Sequence, residues 1–283
     1  MKLAQRLALG YIRTRLRLLS KLSPAKAAEK AFDLFCTPQV RNRKKFPPVF
    51  EKAEKLHIPF RDFRLAGYRW NKGAGRKIMI IHGFESSVIN YDRYIKPFTD
   101  CGYEVVAFDA PAHGRSTGKR INALIFKDFI KHIHTRLGPM DAFMAHSFGG
   151  LALCLALEEL EHTAEMKIVL VAPLTETTTS MQLFYHFLQL DKPVQKEFEN
   201  IITVMGKQPP AWYSIRRAVH QIRARVLWFH DEEDNLTPFA DALKVKKDHH
   251  PHIEFVISKG LGHRRIYRDN EVKKKIVGFF CKS

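Results

Sequence analysis

The alternation of short apolar segments with helical segments constrains this chain more than any other feature of its sequence. From about His57 onward, runs such as RKIMII at 76–81 and KIVLV at 167–171 have the length and composition of buried strands. Segments with helical spacing lie between them. Parallel strands need such crossovers, so the pattern predicts an α/β domain with a mostly parallel central sheet flanked by helices.

The order of the predicted elements is regular. A pair of short strands is expected within 57–70, with its turn near Ala66-Gly67. Further strands are expected at 76–81, 103–108, 141–145, 167–171, 225–230 and 252–257. Helices are expected at 89–99, 121–136, 148–161, 238–247 and 270–281. The core is therefore predicted to comprise residues 57–171 and 221–283.

One segment, residues 172–220, interrupts the alternation. Met181, Phe184, Tyr185 and Leu188 follow helical spacing, and a second helix is expected to begin near Asp191 and to end at Gly206. We interpret the segment as a helical cap over the carboxyl edge of the sheet, where open α/β sheets bind ligands. Two roles are open for its aromatic side chains, which either line a substrate pocket or only pack the cap. The candidates for the pocket are Phe184, Tyr185 and Phe187.

Residues 1–56 are predicted to form a basic N-terminal helical extension. They hold 14 Lys or Arg and 4 Asp or Glu. The difference, 14 − 4 = +10, is more than half of the net charge of +18. In the helix expected at 2–22, one side carries the apolar residues and the other carries basic residues. The apolar side holds Leu3, Leu7, Tyr11, Leu18 and Leu22, and the basic side holds Lys2, Arg6, Arg13 and Arg17. We expect this helix to dock on its own domain or on a partner subunit; the alternative is contact with an anionic membrane surface. No nucleic-acid motif is present, and no nucleic-acid partner is expected.

The cysteines and the N-terminus favour a cytoplasmic protein. Cys36, Cys101, Cys154 and Cys281 show neither metal-site spacing nor a disulfide framework, so reduced thiols are expected. Arginines interrupt the apolar run that a signal peptide would need. The histidines of DHHPH at 248–252 lie away from the expected ligand-binding edge, and no metal is predicted there.

The segment AHSFGG at 145–150 carries the strongest chemical signal. It follows a predicted strand and precedes a predicted helix, and small residues stand two before and two after Ser147. A sharp turn of this kind lifts a serine hydroxyl above the sheet, which favours Ser147 as a nucleophile over a helix-capping serine.

A serine nucleophile needs a base, and the base needs an orienting acid. DEEDNLTP follows the strand expected at 225–230 and offers four acids, Asp231, Glu232, Glu233 and Asp234. KGLGHRRI follows the last strand and offers His263. Asp231 is the alternative to Asp234 as the acid.

Five segments in order resemble the α/β-hydrolase superfamily, in its branch with a cap between the sixth and seventh strands. They are IIHGF at 80–84, DAPAHGRSTG at 109–118, AHSFGG, HDEEDNLTP at 230–238 and GLGHRRI at 260–266. The resemblance covers about residues 57–283. Its pattern departs at Ala145 and Ala112, where the family has glycine.

The resemblance implies a serine hydrolase without a cofactor, acting on a small acyl substrate. Ser147, His263 and Asp234 would form the triad, and the backbone N–H groups of Phe84 and Phe148 would form the oxyanion hole. A carboxylic ester is the first bond expected and a thioester the second. The rival interpretations are a binding protein that has lost turnover and a basic protein that associates with anionic membranes.

Overall fold

The computed structural model describes residues 3–42 and 44–281 of the chain. Its eight strands are β1 (Glu54–Phe60), β2 (Phe63–Trp70), β3 (Arg76–Ile81), β4 (Tyr103–Phe108), β5 (Ala142–His146), β6 (Lys167–Val171), β7 (Arg225–Asp231) and β8 (Ile253–Ser258). The α-helices in this part of the chain are α1 (Leu3–Leu22), α2 (Pro24–Cys36), α3 (Asp92–Asp100), α4 (Ala123–Leu137), α5 (Phe148–Leu157), α6 (Thr177–Leu188), α7 (Lys192–Gly206), α8 (Ile215–Ala218), α9 (Phe239–Lys247), α10 (Gly262–Arg265) and α11 (Asn270–Cys281).

All eight strands form one sheet in the order β1-β2-β4-β3-β5-β6-β7-β8. β1 pairs antiparallel with β2, and β2 pairs antiparallel with β4. Every other pairing is parallel, from β4 through β8. The prediction of a mostly parallel sheet flanked by helices is confirmed, and the carboxyl ends of the central strands therefore meet at one edge.

Successive side chains of the central strands serve opposite faces of the sheet. Ile78 and Ile80 of β3 join the apolar cluster that includes α3 and α11. On the other face, the ring of Phe143 in β5 stacks on His134 of α4, with the ring centroids 6.1 Å apart. Helices thus cover both faces of the central strands. This explains why these strands are unbroken apolar runs in the sequence.

The turn of the first hairpin was predicted in the wrong place. Arg61 and Asp62 make the turn, whereas Gly67 lies inside β2 and pairs with Phe108. A Cβ on Gly67 would come within 2.1 Å of the Phe108 ring. The glycine is therefore needed because the Phe108 ring lies close to the backbone of β2, and not because the chain turns there.

The chain divides into two compact units. One contains the sheet and consists of residues 38–175 and 215–281, apart from residue 43, which the structure does not describe. The other contains residues 3–37 and 176–214, so the N-terminal helices share a unit with α6 and α7. Phe198 is fully buried within this second unit, and its ring contacts four other rings. They belong to Phe32, Phe35, Phe184 and Tyr185.

Helix α1 packs with a different face from the one the sequence suggested. Its packed side holds Leu16, which is buried, and Leu9, Ile12 and Leu19, which are partly buried. The predicted apolar side is exposed at Leu7, Tyr11, Leu18 and Leu22. Lys2 and the side chain of Leu3 lie outside what the structure describes. The helix carries apolar residues on two sides, and helical periodicity alone does not indicate which of the two sides packs against other helices.

The expectation of four reduced thiols is wrong for two of them. Cys101 follows α3, Cys281 ends α11, and the two form a disulfide with their Cα atoms 5.4 Å apart. They are separated by 180 residues, so spacing in the sequence gives no sign of the pair. Cys36 and Cys154 are buried thiols. No helix within 3–42 and 44–281 has the length and apolarity needed to cross a bilayer.

Candidate active site

Ser147 occupies a strained turn between β5 and α5. Its φ of 56° lies in the left-handed region, which a residue with a Cβ rarely adopts. The turn also requires small neighbours. A Cβ on Gly149 would lie 2.5 Å from the carbonyl oxygen of His82, whereas Ala145 is accommodated as a fully buried residue of β5. The glycine missing at position 145 therefore does not prevent the turn.

The loop after β3 passes directly beside this turn. A Cβ on Gly83 would lie 2.7 Å from the Cβ of Ser147. Phe84 follows in this loop, and Phe148 begins α5, with the two ring centroids 6.1 Å apart. Among the described residues, neither backbone N–H of this pair donates to a backbone or side-chain acceptor. Both predicted oxyanion donors are thus in the segments that border Ser147.

Three side chains from three segments that follow β5, β7 and β8 form a continuous hydrogen-bonded line. The Oγ of Ser147 lies 2.9 Å from Nε2 of His263, and Nδ1 of His263 lies 2.8 Å from Oδ2 of Asp234. A carboxylate only accepts, so Nδ1–H donates to Asp234 and the lone pair of Nε2 faces the serine hydroxyl. A line of this kind can take a proton from the hydroxyl as oxygen attacks a carbonyl.

Asp234 is buried and fully engaged as an acceptor. Besides His263, it accepts hydrogen bonds from the backbone N–H groups of Leu236 and Thr237 and from the Thr237 hydroxyl. Burial by itself would raise the pKa of this carboxyl, but the hydrogen bonds and the nearby His263 ring lower it below its ordinary value. Thr237 also lies 3.1 Å from Nδ1 of His263, a contact that the sequence analysis did not anticipate.

Asp231, the alternative acid, has a different set of partners. Its carboxylate accepts from the Ser258 hydroxyl and from the backbone N–H groups of Glu233 and Leu261. These bonds tie the end of β7 to the segment that follows β8. The contacts therefore place Asp231 in loop support, while Asp234 is the carboxylate that reaches His263.

His82 holds the loop that carries Phe84. The backbone N–H of Ala110 donates to Nε2 of His82, which leaves the ring proton on Nδ1 to donate to the Gly83 carbonyl at 2.7 Å. Burial lowers the pKa of His82 to about 4, so the ring stays neutral. The Gly83 carbonyl and the Phe84 N–H belong to one planar peptide group, and this bond therefore orients that N–H.

Asp109 and His113 support the neighbouring loop. Asp109 accepts from the Ser87 hydroxyl and the backbone N–H of Arg115. His113 accepts from the backbone N–H of Glu85, one residue beyond Phe84. Their contacts are structural, and neither reaches Ser147.

His146 is a neighbour of the hydrogen-bonded line that sequence reasoning did not single out. Its Nε2 lies 3.1 Å from the backbone carbonyl of His263, and the two rings are 4.7 Å apart. Burial and the nearby His263 hold the pKa of His146 well below its ordinary value, so the neutral ring donates from Nε2. The only signal in the sequence is its position, directly before Ser147.

The aromatic residues proposed to line a pocket have packing partners in their own unit. The Phe184 ring contacts Phe35 at 4.9 Å, and the Tyr185 ring contacts Phe198 at 5.2 Å. Phe187 is about half exposed, and its backbone carbonyl accepts two hydrogen bonds from Arg13. For Phe184 and Tyr185 these contacts favour the packing alternative.

The arrangement of the metal-ligating side chains offers no ion site in the described part of the chain. Across 3–42 and 44–281, no three His, Cys, Asp or Glu side chains are arranged to hold an ion. In the DHHPH segment, the rings of His250 and His252 are 5.7 Å apart, and that of His250 lies 4.9 Å from His220.

Comparison with known proteins agrees with this geometry at the level of fold. A family model, Hydrolase_4, described as serine aminopeptidase, S33, matches residues 74–210 and so includes Ser147 but neither Asp234 nor His263. No curated protein matches the chain. An esterase from Pyrococcus furiosus is similar in structure, with a TM-score of 0.64 and 19% identity over 86% of this chain and 96% of that one.

Two further structures are similar over comparable lengths. Alpha/beta hydrolase domain-containing protein 10 from mouse has a TM-score of 0.59 and 18% identity, over 80% of this chain and 96% of that one. Carboxylesterase CesB from Bacillus subtilis has a TM-score of 0.60 and 14% identity, over 82% and 93%. Likeness at such identities speaks for the fold alone. With the sheet order, the turn at Ser147 and the structural similarities taken together, the chain has the α/β-hydrolase fold, and its residues 74–210 match the Hydrolase_4 family model.

Proposed function

We propose that the protein is a serine hydrolase that cleaves a carboxylic ester through an acyl-enzyme intermediate. The observation that carries the proposal is the unbroken line from Ser147 Oγ through the His263 ring to Asp234. The similarity to esterases and to a carboxylesterase supports an ester as the bond. A thioester, which reacts through the same acyl-enzyme, is the second candidate bond.

The proposed reaction has two halves. Ser147 Oγ attacks the ester carbonyl while His263 Nε2 takes the hydroxyl proton, and the Phe84 and Phe148 N–H groups donate to the oxyanion. His263 then gives the proton to the leaving alcohol. Water attacks the acyl-enzyme with the same proton relay and releases the acid. Asp234 keeps the His263 ring in the required tautomer and stabilises its cationic form.

The decisive experiment uses a fluorophosphonate probe and the Ser147→Ala variant. We expect the probe to label wild-type protein at Ser147, and the variant to lose labelling and esterase turnover while melting as the wild type does. Turnover above about a tenth of wild type in the variant would contradict Ser147 as the nucleophile. A folded wild-type protein that neither labels nor turns over would identify a binding protein that keeps the fold.

The identity of the bond needs a separate assay. The match to a serine aminopeptidase model makes an amide the bond to test beside the ester. We expect activated esters of graded acyl length to be hydrolysed faster than aminoacyl anilides, with thioesters intermediate. Preferential cleavage of anilides by wild type, lost in Ser147→Ala, would reassign the substrate class and leave the nucleophile in place. That residues 172–220 select the acyl chain stays a prediction from their place in the sequence.

A further inference from the structure

Helix α1 presents an exposed apolar stripe on the side away from its packed face. Leu7, Tyr11, Leu18 and Leu22 are 66%, 64%, 58% and 84% exposed. At 100° per residue these four positions fall within about 60° of one another. The residues that pack the helix, among them Leu16, lie on the other side of it. Exposed large apolar residues aligned on one helix are unusual unless something covers them.

The charges around this stripe are of one sign. Arg15 borders it on one side, with its guanidinium 5.6 Å from the centre of the Tyr11 ring. Arg17 and Lys21 border it on the other side, and all three side chains are exposed. The helix contains no Asp or Glu in its 20 residues. An apolar stripe between two rows of cations is the pattern by which a helix lies in the plane of an anionic bilayer surface.

We propose that α1 binds an anionic lipid surface through this stripe, with the basic residues on its borders meeting the headgroups. An anionic bilayer accommodates the four apolar side chains and both rows of cations together, and it also attracts a chain of net charge +18. The inference stands apart from the hydrolase activity, because it uses none of the residues proposed for catalysis.

A second copy of the chain is the competing occupant. The groove between α2 and α7 has an apolar lining with acidic members, among them Glu29, Asp33 and Glu197. The negative charge of these residues would attract a basic helix. Two copies that each carry +18 nevertheless repel as they approach, whereas an anionic bilayer attracts. Charge therefore favours the lipid surface.

The test measures binding of the full chain to sedimenting vesicles. One set consists of phosphatidylcholine and the other of an equimolar mixture of phosphatidylcholine and phosphatidylglycerol. We expect wild type to bind the mixed vesicles and to bind the zwitterionic ones far more weakly. Arg15→Gln with Arg17→Gln should weaken binding about 30-fold, since each cation near such a surface contributes about fivefold.

A matched pair of variants separates the stripe from general charge. Leu22→Asp and Val204→Asp each place one carboxylate at a side chain of nearly equal exposure, 84% and 82%. Leu22→Asp should lower binding to mixed vesicles at least about tenfold, because a leucine is lost from the apolar face. Val204→Asp should bind as wild type does. Equal binding by wild type and both variants would overturn the proposal and leave only non-specific charge attraction.

Val204 also lines the groove between α2 and α7, so the same pair tests the competing occupant. If a second copy covers the stripe, Leu22→Asp and Val204→Asp should both reduce self-association in light scattering. That result, with unchanged vesicle binding, would overturn the proposal. Fluorophosphonate labelling of each variant reports the hydrolase site independently and is expected to match wild type.

Discussion

At the scale of single residues, the candidate site depends on partners that lie far apart in sequence. Ser147 and His263 are separated by 116 residues, and Asp234 and His263 by 29. Each stands at the carboxyl end of a strand or just beyond it, and the parallel sheet brings these ends to one edge. The arrangement leads to one testable prediction for Asp234 and one for His146.

Asp234→Asn should reduce turnover of an activated ester by about 10⁴-fold, because the amide no longer favours the required His263 tautomer. Asp231→Asn is the matched control, since it removes a carboxylate three residues away whose partners are the Ser258 hydroxyl at the end of β8 and the backbone N–H groups of Glu233 and Leu261. It should lower the melting temperature and keep turnover within about tenfold of wild type. The reverse ranking of the two turnover numbers would assign the acid to Asp231.

His146→Ala should lower kcat by about 10- to 100-fold with little change in KM, because the His263 backbone loses a hydrogen bond that positions the ring. His146→Gln offers an amide donor of similar reach and should recover part of kcat. A role in stability alone predicts lower melting temperatures for both variants with kcat per folded molecule unchanged. Steady-state kinetics and thermal melts on the same samples distinguish these results.

At the scale of elements, the unit of residues 3–37 and 176–214 has an aromatic core of its own. Phe198 of α7 contacts the rings of Phe32 and Phe35 from α2 and of Phe184 and Tyr185 from α6. The N-terminal helices thus supply the apolar surface on which α6 and α7 pack. This accounts for the helical spacing in both segments without assigning all their aromatic residues to a pocket.

Phe184→Ala and Phe187→Ala should behave differently, although the two residues are three positions apart on α6. Loss of the partly buried Phe184 ring should reduce the free energy of unfolding by about 2 kcal/mol and leave the preferred acyl length unchanged. The Phe187 ring is half exposed, so its loss should cost less than about 1 kcal/mol. Denaturant unfolding and an ester series of graded chain length measure both quantities.

A shift in acyl preference for Phe184→Ala would show that this residue acts in selection despite its packing. A shift for Phe187→Ala alone would assign selection to the exposed ring. Unchanged profiles in both variants would make α6 a structural helix only.

At the scale of the whole molecule, two features affect the stability of the sheet-containing unit. The disulfide joins the end of α3 to α11 near the end of the chain. The packing beside it is aromatic, with Phe98 and Phe280 at 5.2 Å. Buried neutral histidines at His82, His113 and His146 surround the loops near Ser147.

Cys101→Ser and Cys281→Ser should each lower the free energy of unfolding by about 2–4 kcal/mol, because the bond closes a very long loop in the unfolded chain. The double variant should be no less stable than either single one, since the same bond is lost only once. Dithiothreitol should lower the melting temperature of wild type and leave the variants unchanged. Insensitivity of wild type to the reductant would show that the pair does not stabilise the fold.

Stability should decrease on acidification because three histidines are buried in their neutral form. Burial lowers the pKa of His82 to about 4 and of His113 to about 3, and it lowers that of His146 well below the ordinary value. The unfolded chain binds protons near pH 6.5, so each neutral ring stabilises the fold fully above that pH and progressively less below it.

His82 and His113 should each lower the free energy of unfolding by about 2 kcal/mol at about pH 5 relative to about pH 7, and His146 should act in the same direction. Melting temperatures across this range, measured with wild type and with His113→Asn, provide the test. Asparagine does not titrate here, so the variant should show a shallower decline. A flat profile for wild type would mean that the buried rings do not control acid stability.

The sequence by itself determined the class of fold, the order of the core elements and the turn at Ser147. These follow from local physics: apolar runs of strand length, helical spacing between them, and small residues at a sharp turn, all readable within a few residues. The segments after the last two predicted strands also offered His263 and a choice of acids, among which the family resemblance favoured Asp234. That they act as base and acid stays a prediction, although their side chains meet as the resemblance implies.

Only the tertiary structure decided which side chains meet across the fold. It separated Asp234 from Asp231, joined His146 to the His263 backbone and paired Cys101 with Cys281. It also turned a different face of α1 toward its neighbours than the one the sequence favoured. The physical reason is common to all four. Each of these four features depends on contacts between segments that the strand order and the helix packing bring together. Such long-range contacts cannot be predicted from the residues that flank a side chain in the sequence.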